Sequence, residues 1–355
     1  MSAATATRSD PQARDRAQVV VSVVRSSARI RQMRVGLVLT MALGVMFSVS
    51  VSVGDFSIPL LDVVPAMFGF GDKGSVFVVN ELRLPRALAG ALVGLAFGLS
   101  GAIFQSVARN VLASPDILGI TAGASAAAVF AIVAGASFAV LALSAFGGAF
   151  LLSIAIYVLA YKRGVSSYRF VLVGIGLSSM AIALTHYMIT RADIYEAAEA
   201  NVWMIGSLNA VGWETMGPLT AVLAVLTPLA LLLTGRLRAL QLNDDMAKGL
   251  GVRVERSRLT LLLVGVALVA VGTAASGPIA FVAFLAPPIA RRLTGAPLSL
   301  VPAALVGALI VLAADLVGRT AFSSTEIPVG IFTGLCGAPY FLWLLARANK
   351  RGLAQ

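Results

Sequence analysis

Residues 82–120 read LRLPRALAGALVGLAFGLSGAIFQSVARNVLASPDILGI, an apolar run with charged residues only near its ends. Arg83 and Arg86 precede the run, and the next charged residue is Arg109. About 20 consecutive apolar residues are enough for a helix to cross the hydrocarbon core of a bilayer. The stretch therefore predicts a membrane-spanning helix. Gly90, Gly94 and Gly98 give this helix a flat face for close packing.

The composition extends this prediction to the whole chain. Of the 355 residues 59% are apolar and 12% are charged, and the mean hydropathy is +0.93. Soluble domains are about 45–50% apolar and about 25% charged. The composition predicts an all-α, polytopic membrane protein. The one cysteine, Cys336, excludes an intrachain disulfide framework.

Cutting the sequence at charges, prolines and glycine clusters predicts about ten transmembrane helices. They cover residues 35–53, 84–107, 117–134, 138–161, 170–190, 216–234, 259–275, 279–289, 299–317 and 329–345. The eighth is too short to span alone, and we expect a half-helix buried against its neighbours. The predicted organisation is a basic, partly disordered tail (1–34), a transmembrane domain (35–346) and a short C-terminal tail (347–355).

The basic residues predict the orientation. With ten crossings, 22 of the 27 Lys and Arg residues fall on the face that carries both termini. Loops rich in Lys and Arg stay in the cytoplasm, so we expect both termini there. The same asymmetry explains the net charge of +11, because no aromatic-interleaved basic patch suggests nucleic acid.

Motifs for catalysis are missing from the sequence. No GxxxxGK followed by Ser or Thr, HExxH, CxxC or nucleophile elbow occurs. We therefore assign no catalytic residue, no metal ligand and no cofactor to this chain. Any ATP hydrolysis would belong to another polypeptide.

The polar loop at residues 236–258 contains LQLNDDMAKGLGV, in which acidic residues precede a short helical pattern and a Gly249/Gly251 stop. A loop of this kind suits the docking of a soluble motor, although an ordinary basic loop is the alternative.

The 82–120 stretch resembles, position by position, the signature of the permease subunits of bacterial ATP-driven importers for iron-siderophores, haem and cobalamin. SGPIAFVAFLAPPIARRLTG at 276–295, AADLVGR at 313–319 and IPVGIFTGLCGAPYFLWLL at 327–345 extend the resemblance over nearly the whole membrane part. The resemblance implies the architecture of a type II importer permease. Pro288 replaces a histidine common in the family, so no role of that histidine is carried over.

The resemblance also implies functional positions. In the family, arginines matching Arg83, Arg86 and Arg319 receive glutamates of a binding protein, while headgroup anchoring is the plain alternative. The fifth and tenth crossings line the path. The cytoplasmic gate corresponds to Ser166, Ser167 and Tyr168. ATPase coupling falls on Asp244, Asp245, Met246, Ala247, Lys248, Gly249, Leu250 and Gly251.

The segments 201–213 and 243–259 look most like the second permease of ferric-enterobactin importers, which implies a catecholate siderophore. The implied partners are two P-loop ATPase subunits carrying ATP and Mg, an extracytoplasmic binding protein and a second, related permease in a bacterial cytoplasmic (inner) membrane. A homodimer, as in haem or cobalamin importers, is the alternative within the family. A secondary transporter is the alternative class, although it would need intramembrane acids or a proton relay.

Overall fold

The computed structural model describes residues 11–54, 58–161, 167–209, 211–321 and 326–352. The regular elements in these ranges are α-helices, joined by one π-helical segment at Val78–Arg83. In chain order the helices are α1 (Pro11–Ser52), α2 (Leu60–Met67), α3 (Lys73–Phe77), α4 (Leu84–Val107), α5 (Ile120–Val133), α6 (Phe138–Ala160), α7 (Ser167–Arg191), α8 (Ile194–Ile205), α9 (Trp213–Leu232), α10 (Thr234–Gln241), α11 (Asp244–Gly249), α12 (Val254–Ser276), α13 (Val282–Thr294), α14 (Leu300–Thr320) and α15 (Val329–Gly352).

Each of the ten predicted crossings coincides with a helix. Among the described residues, seven helices are long and apolar enough to span a membrane, namely those containing α1, α4, α6, α7, α9, α12 and α14. The apolar parts of α5, α13 and α15 are shorter. The predicted start of the third crossing at residue 117 is wrong, because the chain turns at Gly119, whose φ of 83° is left-handed, and α5 begins only after it.

The N-terminal prediction differs from the structure. Residues 11–34, which we expected to be a partly disordered tail, continue the first crossing as one helix, α1. Extending an existing helix adds one hydrogen bond per residue without a new nucleus. Residues 1–10 and 353–355 lie outside the described residues.

Helix α4 lies at the centre of the packing. Gly94 and Gly98 face α14 so closely that an added Cβ would collide with the backbone at Gly307 and Ala303. Gly101 faces Ala283 of α13 in the same way. The predicted role of the glycine face in close helix packing is confirmed.

Helix α13 is the expected half-helix. It begins after Phe281, a non-glycine residue with a φ of 64°, and ends at Gly295 with a φ of 68°. Asp116, in the turn before α5, hydrogen-bonds to the backbone of Phe281 and the side chain of Thr121. The bond to Phe281 therefore connects the turn before α5 to the start of α13.

Helix α4 also separates two polar regions. Its 24 residues extend about 36 Å, roughly the thickness of a bilayer core. Arg86 lies at its first turn and Arg109 just beyond its last. We call the two regions the arginine end and the coupling end. Helix α1 ends, and α15 begins, at the arginine end.

Candidate functional site

Two arginines at the arginine end cap α1. Arg83 Nη1 donates to the carbonyls of Val51 (3.1 Å) and Ser52 (2.8 Å). Arg319 donates to the carbonyls of Val53 (3.1 Å) and Ser50 (2.6 Å). The last carbonyls of a helix have no intrahelical partner, so these two side chains satisfy four consecutive groups there. Arg83 is 7% exposed.

A buried carboxylate joins the other two predicted docking arginines. Asp315, 2% exposed, lies on α14 one turn before Arg319. Its Oδ1 is 2.9 Å from Arg86 Nη2 and accepts from Arg86 Nε at 3.0 Å, while its Oδ2 is 3.3 Å from Arg319 Nε. The pairing ties α4 to α14. A buried charge of this kind would be very costly without its partners.

Arg86 also reaches two loops. Its Nη1 donates to Asn209 Oδ1 at 3.1 Å, in the segment after α8, and to Glu326 Oε2 at 2.9 Å, just before α15. The side chain of Glu326 is 44% exposed, whereas that of Arg86 is 13% exposed. One guanidinium therefore connects four parts of the chain.

Two cavities adjoin this connection. A cavity of about 270 Å³ is lined by Gly54, Val78, Leu82, Arg83, Arg86, Asn209, Arg319 and Glu326. A larger one of about 720 Å³ shares Arg86, Asn209 and Glu326 with it and adds Glu199 and Trp203 of α8. The smaller cavity places Arg83, Arg86 and Arg319 beside Glu326, next to the buried Asp315 that pairs with Arg86 and Arg319.

The structure thus brings the three predicted docking arginines to one site and gives each of them a partner within the chain. Their pairing with a binding protein stays a prediction. Arg86 pairs with the exposed carboxylate of Glu326, Arg319 pairs with the buried Asp315 and donates to the backbone of α1, and Arg83 donates to the backbone of α1.

The coupling end contains the helix expected from the sequence. Asn243 caps α11 by accepting a hydrogen bond from the backbone of Asp245. Gly251, with a φ of 78°, ends the turn, and Val252 N donates to the carbonyl of Ala247. The predicted short helix with a glycine stop is therefore present.

Asp244 anchors α11 to two long helices. It is 2.6 Å from Arg109 Nη2, after α4, and 3.2 Å from Arg258 Nη2 on α12. Arg109 also donates to the carbonyl of Leu240 at 2.8 Å and adopts a left-handed φ of 51°. Burial alone would raise the pKa of Asp244, but the bonds and charges of Arg258 and Arg109 outweigh it and lower the pKa.

The residues of α11 divide into an inner and an outer set. Ala247 is fully buried, whereas Met246 and Leu250, the residue that caps the end of α11, are 63% and 66% exposed. Residues at i and i+4 share one helix face. Asp245 and Lys248 pair with each other at the surface, 3.4 Å apart. The helix thus presents a small apolar patch, Met246 and Leu250. The ion pairs of Asp244 with Arg109 and Arg258 hold the helix in place.

The predicted gate is only partly described. Ser166 lies outside the described residues, Ser167 is the first residue of α7, and Tyr168 is exposed. The gate stays a prediction. Within the part of the chain that the structure describes, no group of three or more His, Cys, Asp or Glu residues could hold a metal ion.

Several spanning helices, glycine-mediated packing at the centre and polar clusters at the two ends define a polytopic membrane permease. The chain belongs to the FecCD transport family, whose model matches residues 41–347.

Relatives match over most of their length. The ferric enterobactin transport system permease protein FepG of Escherichia coli K12 is 40% identical over 84% of this chain and 91% of its own. The achromobactin transport system permease protein CbrC of Dickeya dadantii is 42% identical over 88% and 91%. An inward-facing structure of an ABC transporter assigned to the metal-chelate type superposes with a TM-score of 0.80 at 30% identity, covering 88% of this chain and 99% of the other.

Proposed function

We propose that this chain is the permease subunit of an ATP-driven importer that moves a ferric siderophore, of the catecholate type, from an extracytoplasmic binding protein into the cytoplasm. The proposal that transport is driven by ATP is supported by the structure of α11. An exposed apolar patch on a short helix, anchored to α4 and α12 through Asp244, suits docking into a groove of a separate ATPase subunit. A secondary transporter has no use for such an element.

The substrate class is supported by the relatives. FepG is named for ferric enterobactin and CbrC for achromobactin, while a Bacillus subtilis relative, 39% identical, is named for iron(3+)-hydroxamate. All three names denote siderophore systems, which favours a ferric siderophore over haem or cobalamin. The catecholate assignment rests on the resemblance to FepG.

The second permease is supported by the open faces of α7. Only 11% of the residues in the most apolar 18-residue stretch of α7 are buried within the single chain. The exposed residues include His186, whereas α6 contains no charged residue and no histidine. Both helices also expose large apolar side chains, such as Met180 and Leu184 of α7 and Leu143 and Leu151 of α6. Polar groups in membranes face protein or water. We infer that α7 faces the path and a related permease, and that α6 faces lipid.

The proposed arrangement sets the arginine end outside and the coupling end, with both termini, in the cytoplasm of a bacterium. It comprises this chain, a related permease and two ATPase subunits, which bind ATP and Mg. A pair of identical copies of this chain is the alternative.

The test is uptake of labelled substrate into proteoliposomes that contain the co-expressed complex and its binding protein, with radioactive iron in the ferric ligands and haem and radioactive cobalt in cobalamin. Ferric catecholate, ferric hydroxamate, ferric citrate, haem and cobalamin are compared with and without ATP inside. We expect ATP-dependent uptake of the catecholate. Uptake of haem or cobalamin instead, or uptake driven by a proton gradient without ATP, would contradict the proposal. Native mass spectrometry of the same complex distinguishes the two permease arrangements.

A further inference from the structure

The pairing of Arg86 with Glu326 occupies the position where a partner would bind. A guanidinium has five N–H donors. Four contacts of Arg86 involve Asp315, Asn209 and Glu326. Asp315 is buried, and Asn209 is neutral, so Glu326 is the charged partner that can leave Arg86 for solvent.

The adjoining cavity supports an exchange of carboxylates. The 270 Å³ cavity is lined by Arg83, Arg86 and Arg319, and Glu326 lies at its edge. If Glu326 moves away, the buried Asp315 is the carboxylate that stays paired with Arg86 among the described residues. An incoming carboxylate would then restore the charge balance, and guanidinium groups bind carboxylates with favourable geometry. An acidic side chain of a protein partner suits this place better than a basic one.

Glu326 also lies at a mechanically important position. The next residue, Ile327, donates from its backbone to Gly318 O at 3.0 Å, and Gly330 donates to Gly206 O at 3.2 Å. These bonds attach the start of α15 to α14 and to the end of α8. The Arg86–Glu326 pair adds a third attachment, to α4.

We propose that, in the undocked permease, Glu326 holds the place on Arg86 that a carboxylate of the extracytoplasmic binding protein takes on docking, and that this exchange loosens the start of α15. The proposal rests on the proposed function, because it takes the arginine end as the docking face. It gives docking a direct route to a helix predicted to line the path. The exchange replaces one ion pair by another, so it needs little net energy.

The first arm of the test measures docking. Wild type, Glu326→Gln and Glu199→Gln are reconstituted in nanodiscs as the complete complex, and binding of a substrate-binding protein that stimulates wild-type ATP hydrolysis is measured. Removing the internal competitor should tighten binding about 1.5- to 5-fold. Glu199 lines the neighbouring cavity and is in none of the ion pairs of the described residues. It controls for net charge.

The second arm measures hydrogen exchange of the backbone amides of residues 327–335. We expect exchange several-fold faster in Glu326→Gln than in wild type, and an equal rise when the binding protein docks on wild type. Weaker or unchanged docking of Glu326→Gln, an equal gain in Glu199→Gln, or unchanged exchange at residues 327–335 on docking would each overturn the proposal. If no binding protein docks on wild type, the proposed function fails, whereas the exchange difference between the undocked variants still tests the attachment.

Discussion

Asp244 Oδ1 lies 2.6 Å from Arg109 Nη2, although 135 residues separate them in the sequence. This pair joins α11 to the end of α4, and the Arg258 contact joins it to α12. The position of α11, the helix that we propose docks the ATPase, is therefore set by two long helices as well as by its own loop.

We expect Asp244→Asn to loosen α11 without unfolding the bundle. Asp244 is partly exposed, so each lost ion pair should cost no more than about 1 kcal/mol. ATP hydrolysis should continue in the complex while transport per ATP falls several-fold. Asp245→Asn is the control, because Lys248, at the surface, is the one ion-pair partner of Asp245 among the described residues. Equal transport in the two variants would remove the anchor from the mechanism.

Double truncation of Met246 and Leu250 to alanine should detach the ATPase. Full burial of such a side chain is worth about 1.5–3 kcal/mol, so the affinity of the ATPase for the permease should fall at least about tenfold. Co-purification and titration of the ATPase onto the permease measure this loss. Lys248→Gln, a polar change on the same helix, should bind nearly normally. Ala247→Asp is a poorer probe, because Ala247 is buried and its replacement would disturb the fold.

Arg83→Ala should lower the stability of the permease, whereas Arg86→Ala should weaken its binding to the binding protein. Loss of Arg83 removes the donor of the Val51 carbonyl and one of the two donors of the Ser52 carbonyl, which keeps the backbone of Ile58, and an unmade bond of this kind costs about 1–3 kcal/mol in stability. Thermal unfolding in detergent should therefore shift down, while any remaining folded protein docks the binding protein. Loss of Arg86 should reduce the affinity for the binding protein. If Arg83→Ala unfolds like wild type and loses only docking, then Arg83 is a contact residue and its capping of α1 has little energetic weight.

Gly98→Ala tests the packing of α4 against α14. The new methyl group would collide with the backbone at Ala303, and overpacking of this kind costs about 1–3 kcal/mol. We expect a lower unfolding temperature and poor assembly. Gly147→Ala in α6 is the matched control, since nothing lies within 4 Å of an added Cβ there. A normal unfolding temperature for Gly98→Ala would show that the two helices can separate freely.

Local signals in the sequence predict most of the helices and the form of the coupling end. The uncharged run of α4 is predicted with its boundaries, because charge marks both ends. The acidic residues at the start of α11 and the glycine after its end are also signals that can be read from the neighbouring sequence. Helix α8 was missed, although its capping box of Asp193 and Glu196 is a readable signal of a helix start.

The arginine end could be predicted only in part. The spacing of Arg83 and Arg86 and the resemblance located the arginines, but their partners lie far away in sequence. Asp315 is 229 residues from Arg86 and Glu326 is 240. A carboxylate at such a distance has no local pattern, and its pairing exists only once α4, α14 and the start of α15 have packed together.

The glycine contacts of α4 limit how the protein can move. The helix is held by Arg86 at one end, by Arg109 at the other, and by backbone contact with α13 and α14 between them. A rod fixed at so many points cannot tilt alone, so α4, α13 and α14 must travel as one block. If the chain acts as proposed, we expect alternation between the two sides of the membrane to involve α7 and α15, or rotation of the whole block against a neighbouring subunit. Any movement of the protein that includes α4 therefore also moves α13 and α14.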